Sequence, residues 1–225
     1  MAARTGIAVI RPSEGTNLPS FRPGSGGGER VLVGRGHHRR VTTTSTELPV
    51  PPTPARRITR LWPVALALVF AALMWGAPPE SLAEVLMLLP LVYLVTAATR
   101  TRGASWPALL ACLGVLVALR AQDRVDVATG VAAVAAVVLV GGLLRSAGRA
   151  GMLVQAAGML AFAGTAVLAL EAGGDLARAL VATGWLLHGA WDAVHLVRRT
   201  VVSRSYALWC AVLDVLVGLQ LLLAL

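Results

Sequence analysis

From Arg60 onward the chain is a succession of apolar runs separated by short polar links. Seven runs can be counted, over about residues 61–77, 82–98, 105–120, 127–145, 151–170, 176–197 and 206–225. Most approach the ~20 residues that a helix needs to cross a ~30 Å hydrocarbon core; the third is the shortest and leaves a re-entrant segment open. A water-soluble domain could not solvate such a surface, since 56% of the 225 residues are hydrophobic and 14% are charged. The pattern predicts an all-α fold, a polytopic membrane helix bundle of about seven transmembrane helices.

Residues 1–57 are a different material. "RPSEGTNLPSFRPGSGGGERVLVGRGHHRR" and "TTTSTELPVPPTPARR" are rich in Gly, Pro, Ser, Thr and Arg, and Phe21 is their one aromatic residue. Such a segment buries too little apolar surface to offset its chain entropy. It is expected to be a disordered, Arg/Pro/Gly-rich cytoplasmic tail, with residues 58–225 forming the seven-helix domain. No apolar core precedes a small-residue cleavage site in it, so it does not read as a signal peptide. His37 and His38 stand beside Arg39 and Arg40 and read as a solvated charge cluster before they read as a metal site.

A net charge of +9 raises the question of nucleic acid. All twenty basic residues are Arg, and they fall as short groups between apolar runs. That is the pattern of topology signals and not of a phosphate-tracking patch, so no nucleic-acid partner is expected and the lipid bilayer is the partner instead. The absence of Lys and the single Asn fit a GC-rich bacterial genome. With the N-terminus placed inside, Arg56, Arg57, Arg60, Arg100, Arg102, Arg145, Arg149, Arg198, Arg199 and Arg204 all fall on the cytoplasmic side. The opposite links hold Glu80, the mixed group Arg120, Asp123, Arg124 and Asp126, and then Glu171 and Asp175. This alternation obeys the positive-inside rule only if the third run crosses. It predicts a multi-pass protein of the bacterial cytoplasmic membrane, N-terminus cytoplasmic and C-terminus outside. Trp62-Pro63 and Ser105-Trp106-Pro107 start two spans with an interfacial aromatic and an early-turn proline. Pro90 falls inside the second span and is expected to kink it. The Ala- and Gly-rich fourth and fifth spans are expected to pack inside the bundle.

The exception to this apolar monotony is "GWLLHGAWDAVHLVRR", residues 184–199. Of eleven acidic residues only Asp192 and Asp214 lie well within spans, and of four histidines only His188 and His195 do. At 100° per residue, His188, Asp192 and His195 occupy an arc of ~60° on the sixth span. On the seventh, Cys210 and Asp214 are one turn apart. Counted inward from Arg198 and Arg204, His188 matches Asp214 at ~15 Å depth, and Asp192 matches Cys210 at ~9 Å. Tyr93, Thr96 and Gln155 lie at similar heights on other spans. A polar pocket reachable from the cytoplasm is the expectation.

Three readings of this cluster stand side by side. The leading one makes it structural or partner-binding: interhelical hydrogen bonds, typically worth ~0.6–2 kcal/mol, that fix the last hairpin, with no enzymatic activity and no cofactor. The second is a proton relay in a carrier of a small solute or ion, through His188, Asp192, His195 and Asp214, with Cys210, Gln155 and Tyr93 as accessories. The third is a metal site, zinc held by His188, Asp192 and His195 with Asp214 or Cys210 completing the shell, as in an intramembrane hydrolase. Cys210 and Cys112 otherwise read as small buried apolar residues.

Residues 184–223, "GWLLHGAWDAVHLVRRTVVSRSYALWCAVLDVLVGLQLLL", resemble a group of uncharacterised bacterial integral membrane proteins. Its members end in a His-x-x-x-Asp-x-x-His helix followed by a helix with Cys and Asp. The resemblance implies a membrane helix bundle and no particular activity. A looser similarity, to seven-span zinc hydrolases of the alkaline ceramidase and adiponectin-receptor type, implies intramembrane hydrolysis. Those use a His-x-x-x-His pair, whereas His188 and His195 stand seven apart.

Overall fold

The computed structural model describes residues 61–122, 124–145 and 148–224. The tail expected at 1–57, with His37 and His38, lies outside the described residues, as do Arg56, Arg57, Arg60 and Asp123. Among the described residues there are seven α-helices, one 3-10 turn and no strand. The helices are α1 (Trp62–Leu73), α2 (Pro79–Thr99), α3 (Ser105–Arg120), α4 (Val127–Leu144), α5 (Arg149–Ala172), α6 (Gly174–Arg198) and α7 (Arg204–Leu223). The all-α expectation stands, and the short third run is one continuous helix, entered through the 3-10 turn Arg102–Ala104.

Five of these helices (α2, α3 with its entering turn, α4, α5 and α7) are long and apolar enough to cross a membrane. The chain is thus built as a membrane protein. The other two fall short for different reasons. α1 is apolar but has only 12 residues. α6 has 25 residues, and its histidines, Asp192 and terminal charges dilute its apolarity.

Local chemistry fixes the helix ends. Prolines stand at the first or second position of α1 and α2, where a missing N–H costs nothing. Asp126 caps α4 by accepting from the backbone N–H of Thr129 at 2.9 Å, and Ser203 caps α7 by accepting from Tyr206 N–H. α6 carries Asp175 in its first turn and Arg198 in its last, each sign matched to the helix dipole.

α2 is the central post. It packs against α3, α4, α5 and α6, and every residue from Leu86 to Leu94 is buried, Pro90 among them. α6 and α7 form the most intimate pair, and α1 lies against α7. α5 packs on α2 and α6, as its small residues led us to expect. α4 departs from that expectation: it buries only Gly130, Val131, Ala135 and Gly142 and turns Val137 and Val140 outward. Its small residues permit one close seam, and lipid accepts the remaining apolar faces without penalty.

The links sort to two ends. Arg100, Arg102, Gly148 and Val201 line one cavity, and Arg145 donates to the Ala98 carbonyl at the same end. Gly76, Pro78, Arg178 and Ala224 line another at the opposite end. The first end is closed by a small staple: Ser105 Oγ accepts from Ser203 N–H at 3.0 Å, and Trp106 donates to Ser205 Oγ at 3.2 Å.

Candidate functional site

The last hairpin turns tightly. Arg199 and Val201 both adopt positive φ, at 51° and 61°, and Val202 N–H donates to Thr200 O at 2.7 Å. The returning helix approaches α6 most closely at two glycines. A Cβ on Gly189 would stand 3.2 Å from the Cβ of Asp214, and one on Gly218 only 2.7 Å from Leu186 and 3.1 Å from the Ala182 carbonyl. Bare backbone at these two places lets the α6 and α7 side chains between them meet directly.

His188 and Asp214 meet there. His188 Nδ1 lies 2.7 Å from Asp214 Oδ2 and 3.2 Å from Asp192 Oδ2, and all three side chains have no exposed surface. The phenol of Tyr93 on α2 donates to Asp192 Oδ1, so the cluster joins α2, α6 and α7. The depth match between His188 and Asp214 in the sequence is therefore a contact. Tyr93, an accessory on sequence grounds, thus binds the α6 carboxylate directly.

His195 lies one turn nearer the Arg-rich end. Its Nδ1 lies 2.9 Å from the Trp191 carbonyl, which only accepts, so that nitrogen carries the proton. Nε2 is left as an acceptor 3.4 Å from the Gln155 amide. His195 is thus tied to its own helix and to α5, outside the group of three. The ligand-type atoms that lie within 4.8 Å of one another belong to His188, Asp192 and Asp214. Cys210 is a buried free thiol, and the hydrogen bonds around His188 do not include it. Thr96 turns its hydroxyl back onto the Val92 and Tyr93 carbonyls.

Aromatic rings wall the cluster. Phe162 of α5 meets the His188 ring edge-on at 4.8 Å, and Tyr93 packs on His195 at 4.8 Å. Trp185 is fully buried and donates to the Leu82 carbonyl at 3.2 Å, while Trp191 rests near Gly158. The result is a packed core where an open pocket was expected. The cavities at Thr96 and Arg100, at Met87 and Ala135, at Met74 and Gln220, and at Val95 and Gly142 are lined by other residues than His188, Asp192 and Asp214. Phe162 and the Ser105–Ser203 staple carried no sequence signal, being single apolar or hydroxyl residues far apart in the chain.

The cluster's bonding is incomplete. One Nδ1–H serves two carboxylates and points at the nearer, so Asp192 Oδ2 has no hydrogen-bond partner; nor do His188 Nε2 and Asp214 Oδ1. Two buried carboxylates on such short separations need a positive partner, either protons or a cation. The arrangement can therefore hold the three helices together, share protons among its members, or bind a cation. No family model, curated protein or solved structure matches the chain.

Proposed function

We propose that this chain is a seven-span protein of the bacterial cytoplasmic membrane whose buried cluster is a structural clasp, presenting a fixed bundle to partners. The observation that carries this reading is the sealed contact of His188 with Asp192 and Asp214, tied to α2 through Tyr93. Buried polar groups without an adjoining cavity act on the packing of the helices that bear them. Within this proposal α1 and α6 also cross, α6 being carried by its partners. The Arg-rich end faces the cytoplasm, because its links are basic and the opposite ones acidic or mixed. Residues 1–57 are then a solvated cytoplasmic tail ahead of the helical domain at 58–225.

The test is a double-mutant cycle between His188→Asn and Asp214→Asn, read by thermal unfolding in detergent. A clasp predicts a coupling of about 1–2 kcal/mol between the two positions. Additive losses, with no coupling, would remove the clasp. A second reading, proton movement in a small-solute carrier, is favoured by the succession Asp214, His188, Asp192, Tyr93, His195 and Gln155 toward the Arg-rich end. Equal proton uptake by proteoliposomes bearing wild type or Asp192→Asn would dismiss it.

A further inference from the structure

We propose that His188, Asp192 and Asp214 form a binding site for one divalent first-row cation, with zinc the natural probe. The proposal uses the clasp residues but goes beyond the clasp, which needs only protons. Its first support is convergence. Asp192 Oδ2 and Asp214 Oδ2 approach the same nitrogen, His188 Nδ1, at 3.2 and 2.7 Å, and the three groups' ligand-type atoms lie within 4.8 Å of one another. Zinc held at ~2.1 Å by nitrogen and carboxylate oxygen sets its donors ~3.4 Å apart in a tetrahedron. The His188–Asp192 pair is already near that spacing, the His188–Asp214 pair would open by under ~1 Å, and the two carboxylates, within 4.8 Å of each other, would be drawn together by side-chain torsions.

The second support is independent of the spacing. Asp192 Oδ2 is fully buried, lacks a hydrogen-bond partner and faces the imidazole nitrogen. A single N–H cannot satisfy two carboxylates, whereas a cation accepts all three donors at once. Charge points the same way. Two carboxylates and a neutral imidazole around a divalent ion sum to zero, which suits a buried site among apolar helices.

The third support lies one layer out. Ligating carboxylates are commonly steered by a hydrogen bond to their other oxygen. Tyr93 does this for Asp192, binding Oδ1 and leaving Oδ2 for the ion. One imidazole and two carboxylates form a donor set suited to zinc or manganese. His195, which the sequence grouped with the ligands, is instead held by Trp191 and Gln155. It stands between the ligands and the Arg-rich end.

The experiment uses the full chain in detergent with His37 and His38 replaced by Ala, so that the tail binds no zinc. The protein is incubated with zinc, desalted through a weak chelator and analysed for bound metal. We expect about one zinc per chain in this background and less than a tenth as much in Asp192→Asn, Asp214→Asn and His188→Gln. Tyr93→Phe should retain the site with affinity lowered about 10–100-fold. Circular dichroism melts of each variant separate lost ligands from lost fold, and cobalt(II) absorption in the background protein reports the ligand geometry directly. No retained zinc and no cobalt bands in the background protein would overturn the site, as would equal zinc in the folded Asp214→Asn variant. The two readings fail separately. Zinc absent with the His188/Asp214 coupling intact leaves a clasp made of protons. Zinc present with additive metal-free energetics leaves a site without a clasp.

Discussion

α4 and α6 are opposites. α4 is Ala, Val and Gly almost throughout, yet it shows most of its surface and buries four residues. α6 carries two histidines and an internal aspartate, yet it buries nine residues, those three among them. A water-soluble protein arranges its helices the other way, with the most apolar deepest. Where lipid is the solvent, an apolar face gains nothing by being covered, and only polar groups and close packing reward it. The difference teaches where this molecule's polar cohesion resides: in the α6–α7 pair and the Tyr93 bond that ties it to α2.

The comparison is broken most readily at the glycines. Gly218→Val forces a side chain into Leu186 and the Ala182 carbonyl, and overpacking of this kind costs about 1–3 kcal/mol. On α4, a Cβ added to Gly141 would meet nothing within 4 Å, so Gly141→Val should leave the melting temperature near wild type. Thermal unfolding of the two variants side by side is the measurement, and equal losses would show that α4 is as tightly held as α7.

A smaller effect sharpens the polar side. Tyr93→Phe removes the phenol that binds Asp192 while keeping the ring against His195, for an expected loss of about 1 kcal/mol in thermal unfolding. The smallest expected effect is at the α4 cap. Asp126 is fully exposed, and the Thr129 backbone N–H beside it holds its carboxyl below the ordinary range. Its contribution is complete above the unfolded value of about 3.9 and is lost as pH falls through the lower folded value. Asp126→Ala should therefore melt slightly below wild type at neutral pH, and the two melting curves should converge in acid.

The sequence made the helices legible because apolar runs and Arg-bearing links alternate with little ambiguity. It made half of the cluster legible too, since i, i+4 and i, i+7 spacing on one helix and depth counting across one short turn are both local geometry. What stayed hidden was rotation. No count along the chain says that His195 turns to the Trp191 carbonyl while His188 turns to Asp214, or that Tyr93, ninety-nine residues from Asp192, arrives to bind it. Nor does it say that Phe162 closes the space beside His188 where a pocket seemed due. Such facts depend on how α2 and α5 are rolled about their own axes, which packing among all the helices decides. The outward face of α4 was misread for a related reason: small residues mark where helices can touch, not how many sides are touched.

The polarity of α6 also bears on how the molecule is assembled. An aspartate near the middle of a lone helix opposes membrane insertion by roughly 2.5–3.5 kcal/mol. α6 is followed after a link of five residues by α7, which is apolar enough to cross and brings Asp214 to His188. If α6 crosses as proposed, the two helices are expected to enter the bilayer as one unit. The tight turn between them holds the pair side by side, with His188 against Asp214.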